Sequence, residues 1–316
     1  MTFDRIWRRI AWLYGSGEAK SIARILLDDM FGLSLADIVC GAVEKLSDAD
    51  TRRLSDAVDR LEKGEPVQYV TGKTFFADRE FAVAPGVLIP RLETEQLCSL
   101  VEQVMQSDAN DKSVATNVDA DEKVVKDFTI DINYEANSGT PLGNKHKILD
   151  IGTGSGCIAI TLALDMPECS VSAWDVSPEA LTIAEGNAKR LGATVNFSRQ
   201  DALSAPQDED KWDAIVSNPP YICKKESVDM ERNVLEHEPH LALFVPDDDP
   251  LLFYRNIARY AQKALKEGGM LFFEINSLYA KETEQMLAEE GFAEIKTVKD
   301  IYGKERNTIC RKKTSR

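Results

Sequence analysis

Asn218-Pro219-Pro220-Tyr221 is the segment whose residue types and spacing point most directly to chemistry. Two consecutive prolines have a fixed φ and no backbone N–H, so they form a rigid extended turn and hold the preceding residue in place. An asparagine held there offers a side-chain oxygen, and the Pro219 carbonyl offers another. A planar NH2 group can donate one hydrogen bond to each. Tyr221 can stack on the plane of that group. The arrangement suits an exocyclic amine or a carboxamide whose nitrogen has to be oriented and made more electron-rich. Such catalysis rests on positioning and electrostatics and needs no strong general base. Zinc or histidine-triad chemistry is poorly supplied, because the chain has only three histidines and its six scattered cysteines form no CxxC pair.

A second cluster lies upstream. The apolar run Ile148-Leu149-Asp150-Ile151 leads into Gly152-Thr153-Gly154-Ser155-Gly156. A dinucleotide fingerprint would place glycine where Cys157 stands. Asp150 is expected at the mouth of the site, where a carboxylate is unwelcome beside a pyrophosphate. It suits the ammonium and sulfonium charges of S-adenosylmethionine. Asp175 ends the second strand, where an acidic side chain can accept both ribose hydroxyls, and Ser177 is the better N-cap for the helix that follows. Asp201, at the end of the third strand, is placed to face an adenine amino group. Together the clusters predict methyl transfer to a planar nitrogen. Two substrates fit: an adenine or guanine amine in nucleic acid, or a glutamine side chain in a protein.

The elements that must position these residues alternate. Strands are expected at 148–151, 171–175, 195–197, 213–217 and 270–275, with two more near 294–298 and 308–310, and helices between them. This predicts a doubly wound, mostly parallel seven-stranded sheet with ligands at the carboxyl ends of its strands. Ahead of it, Ile6, Ile10 and Leu13, then Ile22, Ile25, Leu26 and Met30, then Leu54, Val58 and Leu61 repeat at helical spacing. These predict a helical bundle over 1–72, with Ser47 or Asp48 capping its last long helix. A hairpin linker follows over 73–92, and the methyltransferase domain spans 93–316. Residues 106–146 are rich in Asp, Asn, Ser, Thr and Lys and read as a polar insertion, with one short strand within 124–132.

The chain has 316 residues and a formal net charge of −15. Acidity of that size argues against a protein whose main affinity is for nucleic-acid phosphate. It favours a protein substrate, which a helical bundle without a basic stripe is suited to dock. No stretch approaches ~18 consecutive apolar residues, so no membrane span is expected. Scattered cysteines and a charged amphipathic N-terminus predict a cytoplasmic protein.

Several segments resemble the bacterial release factor glutamine methyltransferase family. They are Gly64-Glu65-Pro66-Val67-Gln68-Tyr69-Val70-Thr71-Gly72, Val87-Leu88-Ile89-Pro90-Arg91-Leu92-Glu93-Thr94-Glu95, Asp150 to Gly156, and Asn218 to Tyr221. Glu238-Pro239, Ala242-Leu243, Asp300, Gly303 and Arg306 extend the match over nearly the whole chain apart from the insertion. The resemblance implies methyl transfer from S-adenosylmethionine to the glutamine nitrogen of the Gly-Gly-Gln loop in class 1 peptide chain release factors; release factors 1 and 2 are the expected partners and a monomer the expected state. It implies that Asp150, Ile151, Gly152, Thr153, Gly154, Asp175 and Asn218 contact the cofactor, with Ala202 beside the adenine, and that Asn218, Pro219, Pro220 and Tyr221 hold the glutamine. A sister family acting on a ribosomal protein usually has Pro-Arg-Ser-Pro where this chain has Pro90-Arg91-Leu92-Glu93. Two departures stand out: Leu92 replaces a usual proline, and Asn276 a usual glycine.

Overall fold

The computed structural model describes residues 1–109 and 146–314. Helix α1 (Phe3–Phe31) breaks its helical geometry at Gly15 (φ 72°, ψ 166°), and α2 (Leu35–Val39), α3 (Asp48–Glu62) and α4 (Val67–Thr71) follow. Ile6, Ile10, Ile22, Leu26, Leu54, Val58 and Leu61 are buried together, as their spacing predicts. Ile25 is exposed instead, because Ala23 and Leu27 share the buried stripe. Ser47 caps α3 by accepting from the Asp50 N–H.

Strands β1 (Lys73–Phe76) and β2 (Arg79–Ala82) form the expected hairpin, closed by Ala77 and Asp78, both at positive φ. The hairpin is docked firmly. Phe76 and Phe81 are buried in the core of the main sheet, and both the N–H and the carbonyl of Ala82 bond to the Asn187 side chain. Helix α5 spans Leu92–Ala109. Apart from its last turn and His146, the polar stretch read at 106–146 lies outside the described residues, as does the strand expected within it.

From Lys147 the alternation is as read. The elements are β3 (Lys147–Ile151), α6 (Cys157–Asp165), β4 (Ser170–Asp175), α7 (Pro178–Leu191), β5 (Val195–Arg199) and β6 (Trp212–Ser217). A two-residue parallel pair not foreseen from sequence, β7 (Ile222–Cys223) and β8 (Phe244–Val245), brackets α8 (Arg232–His237) and α9 (His240–Leu243). Then come α10 (Leu252–Ala264), β9 (Leu265–Glu274), α11 (Ala280–Glu289), β10 (Phe292–Lys299) and β11 (Glu305–Lys312). The seven main strands lie in the order β10-β11-β9-β6-β3-β4-β5, all parallel except β11, which runs antiparallel to both its neighbours.

Both faces of this sheet are covered, so its strands are apolar on both sides. Along β9, Met270 and Phe272 enter one core with α5 and α6, while Leu271 and Phe273 enter the other with α10 and α11. Chain order reverses at β3, which lies between β4 and β6. A crevice opens at the carboxyl ends of such strands.

The glycine turn after β3 is fixed by packing. Gly156 has φ 84°, and a Cβ there would meet Ile160 Cδ1 at 2.8 Å and Ala184 Cβ at 3.1 Å. Gly156→Ala is therefore expected to destabilise the fold by ~2–4 kcal/mol, from left-handed strain plus overpacking. Urea unfolding checks this, and a loss below ~0.5 kcal/mol would show that the turn can relax.

Candidate active site

Two cavities meet at the carboxyl ends of β3, β4 and β6. The larger, of about 380 Å³, is lined by Ile151, Gly152, Gly154, Asp175, Asp201, Ala202, Asn218, Pro219 and Pro220 among others. The smaller, of about 230 Å³, is lined by Arg91, Asn218, Pro219, Tyr221, Ile222 and Glu231 among others. Leu88, Asn218, Pro219 and Ala242 belong to both walls. The asparagine–proline turn thus stands between two chambers.

The glycine loop builds one wall of the larger cavity. The Gly152 and Thr153 N–H groups both donate to the Trp174 carbonyl at 2.9 Å, which folds the loop back over β4. A Cβ at Gly152 or Gly154 would meet no atom within 4 Å, so both glycines leave open space on the cavity side. Asp175 receives the Gly154 N–H on one oxygen (2.8 Å) and the Ser177 N–H on the other (2.9 Å). Each oxygen keeps a lone pair for a ligand hydroxyl. Burial raises the Asp175 pKa, and those backbone donors oppose the rise. Ser177 caps α7, the role read for it.

Asp150 is not at the mouth. It is fully buried behind the loop, where its carboxylate accepts from Thr153 Oγ1 at 2.6 Å. Neither Asp150 nor Thr153 lines the cavity. Burial pushes the Asp150 pKa up to about 7, with Asp175 adding to the rise and the Thr153 hydrogen bond opposing it. Its side chain enters the interior because β3 is covered on both faces, which a strand-end position alone does not reveal. Strand β5 ends at Arg199, two residues before Asp201. Asp201 does line the cavity, and its Oδ1 accepts the Leu203 N–H at 2.8 Å.

On the other side of the turn, four side chains form a chain of hydrogen bonds. Asn218 Nδ2 donates to Thr94 Oγ1 at 3.2 Å, and Thr94 Oγ1 donates to Glu274 Oε2 at 2.6 Å. The Tyr221 hydroxyl donates to Glu274 Oε1 at 3.0 Å. Glu274 is 1% exposed. Its pKa is raised by burial and held down by the Thr94 and Tyr221 hydrogen bonds and the Arg306 charge. Burial and the facing Glu274 carboxylate push the Tyr221 hydroxyl well above its ordinary pKa, so it stays a donor.

Segments distant in sequence complete the walls. Glu238 is buried and accepts the Ile89 N–H at 3.2 Å and the Arg91 guanidinium at 2.6 Å. The Tyr69 hydroxyl donates to the Val87 carbonyl at 2.5 Å, joining α4 to a residue that lines the larger cavity. Asn276 Nδ2 donates to the Tyr221 carbonyl at 3.1 Å and to Glu226, so this departure from the family pattern braces the turn. Leu92, the other departure, begins α5 and is 75% exposed.

Thr94 and Glu274 were not singled out as site residues by sequence. A signal for them existed: a threonine on the apolar stripe of α5 and a carboxylate inside the run Met270–Ile275 both break a buried pattern. Phe253 and Ile257, which also line the larger cavity, sit on an ordinary amphipathic helix and carry no such mark. Among the described residues, no cluster of His, Cys, Asp or Glu is arranged to hold a metal ion, and no helix is long and apolar enough to cross a membrane. Of the six cysteines, Cys40 is exposed and Cys98, Cys157, Cys169, Cys223 and Cys310 are buried.

The profile of the Methyltransferase small domain matches residues 138–241, and that of the PrmC N-terminal domain matches residues 13–72. A release factor glutamine methyltransferase of Bacteroides thetaiotaomicron is 41% identical, covering 93% of each chain. One from Flavobacterium psychrophilum is 36% identical, covering 94% of this chain and 93% of its own. One from Bacillus subtilis is 34% identical, covering 98% of this chain and 96% of its own. The β-sheet with its crevice, the paired cavities and this full-length similarity lead to one conclusion: the chain belongs to the release factor glutamine methyltransferase family.

Proposed function

We propose that the protein transfers a methyl group from S-adenosylmethionine to the side-chain amide nitrogen of the glutamine in the Gly-Gly-Gln loop of peptide chain release factors 1 and 2. One observation carries the reading: a cofactor-sized cavity and a smaller one share Asn218 and Pro219 as a common wall. When bound, S-adenosylmethionine supplies an electrophilic methyl on a sulfonium.

The residues present fit that cofactor. Gly152 and Gly154 leave room for a ligand against the backbone, and Asp175 offers two aligned acceptors for a ribose diol. Ile151, Asp201 and Ala202 complete its walls. Asp150 and Thr153 act from behind, holding the loop in shape. In the smaller cavity Asn218 and Pro219 accept the two amide hydrogens of the substrate glutamine. Pro220 keeps the turn rigid, and Tyr221 supplies a face for the amide plane. We further propose that residues 1–72 dock the release factor, that 73–92 join this region to the methyltransferase domain at 93–316, and that the protein works as a cytoplasmic monomer.

The test is transfer of labelled methyl from S-adenosylmethionine to purified release factor, beside a copy whose loop glutamine is alanine. Label on the first and none on the second is expected. Label on RNA or DNA and on neither release factor would move the assignment to an amine in nucleic acid.

A further inference from the structure

We propose that Thr94 is a positioning residue that, anchored by Glu274, sets which way round the Asn218 amide sits and so turns Asn218 Oδ1 toward the substrate nitrogen. The inference rests on the glutamine reading above and adds residues to it. The argument is one of proton supply. A threonine hydroxyl has a single proton. Glu274 Oε2, 2.6 Å away, takes it. The other Glu274 oxygen is held by the Tyr221 hydroxyl. Burial raises the Glu274 pKa and the Arg306 charge opposes the rise, but the two O–H donors converging on the carboxyl leave it accepting from both and donating to neither. Around it stand Thr94 and Glu93 on α5, Tyr221 on the turn, Tyr254 on α10 and Arg306 on β11; Glu93 opposes ionisation.

Thr94 Oγ1 therefore has only a lone pair left for Asn218, which must meet it with its NH2. The reversed amide would set two oxygens against each other about 3.2 Å apart with no proton between them. With Nδ2 committed to Thr94, Oδ1 is the Asn218 group left for the cavity walls that this residue forms. A substrate NH2 needs an acceptor there. A flipped asparagine would present a donor to a donor. The buried carboxylate thus acts two side chains away, by fixing the direction of a hydrogen-bond chain.

The variants are Thr94→Val, which keeps the shape and removes the hydroxyl, and Thr94→Ser, which restores it. For Thr94→Val, kcat with release factor is expected to fall at least ~10-fold, with KM and the cofactor Kd within about threefold of wild type. Thr94→Ser should return kcat to within about threefold. A Thr94→Val enzyme with wild-type kcat overturns the proposal, and so does a Thr94→Ser enzyme as slow as the valine variant. A second readout needs neither substrate nor activity. In 15N-labelled protein, one Asn218 Nδ2 proton should exchange with water at least ~10-fold more slowly in wild type than in Thr94→Val. Equal and unprotected exchange overturns the orientation lock even if the valine variant is slow. A protected wild-type proton together with no methyl transfer to release factor supports the lock and overturns the glutamine reading instead.

Discussion

Asn218→Ala is expected to lower turnover on release factor at least ~100-fold while leaving cofactor affinity within about fivefold of wild type. The split follows from where Asn218 sits. It belongs to the walls of both cavities, and its side-chain amide is tied to Thr94, which bonds in turn to Glu274, two residues that do not line the larger cavity. The larger cavity keeps its glycine loop, Asp175, Ala202, Phe253 and Ile257 when the amide is removed. Positioning of the acceptor nitrogen is what disappears, and lost positioning lowers kcat more than ground-state binding. Single-turnover methyl transfer together with calorimetric titration of the cofactor checks both halves. Turnover within about tenfold of wild type would remove Asn218 from the mechanism. A large loss of cofactor affinity with unchanged single-turnover rate would make it a cofactor ligand only.

The second large effect is at Asp175. Its two oxygens are fixed by the Gly154 and Ser177 N–H groups, so the carboxylate is already oriented before any ligand arrives. Two hydrogen bonds from a ribose diol to a charged acceptor, at ~1.5–3 kcal/mol each, correspond to a loss of ~100-fold or more in affinity for Asp175→Ala. The affinity is also expected to depend on pH. Burial raises the Asp175 pKa, and a protonated carboxyl loses an acceptor. Affinity is therefore full above that pKa and falls as the pH drops through it. In Asp175→Ala this acid limb should vanish. Titration of the cofactor between pH 4 and 8 measures both effects. A Kd within about fivefold of wild type, or an acid limb unchanged in the variant, would remove Asp175 as the diol acceptor.

Much of this architecture is readable before any coordinates. The β-strand and helix order from Lys147 onward follows from hydrophobic period, because a strand covered on both faces must be apolar along its length. The caps at Ser47 and Ser177 follow from local side-chain chemistry and depend on no distant residue. Strand lengths are read less well. The paired strands β10 and β11 extend beyond the expected short runs, because Lys299, Glu305, Asn307, Arg311 and Lys312 take their places in the ladder whatever their polarity. The pair β7 and β8 leaves no signal at two residues each.

The sequence by itself determined the chemistry on offer. A proline pair that immobilises an asparagine, a loop of glycines and a strand-end aspartate are local properties, set by fixed φ, missing Cβ atoms and strand period. Only the tertiary structure decided what surrounds each of them. Asp150 has the composition of a mouth residue, yet both faces of β3 are packed, so its carboxylate is buried behind the loop. Thr94, Asn218 and Glu274 are far apart along the chain, and their hydrogen bonds exist because α5, β6 and β9 come together at one end of the sheet. Arg91 finds Glu238 for the same kind of reason. Hydrogen bonds act over about 3 Å in space and carry no signature in sequence separation, so the partners that orient a reactive group are the part of a site that folding alone reveals.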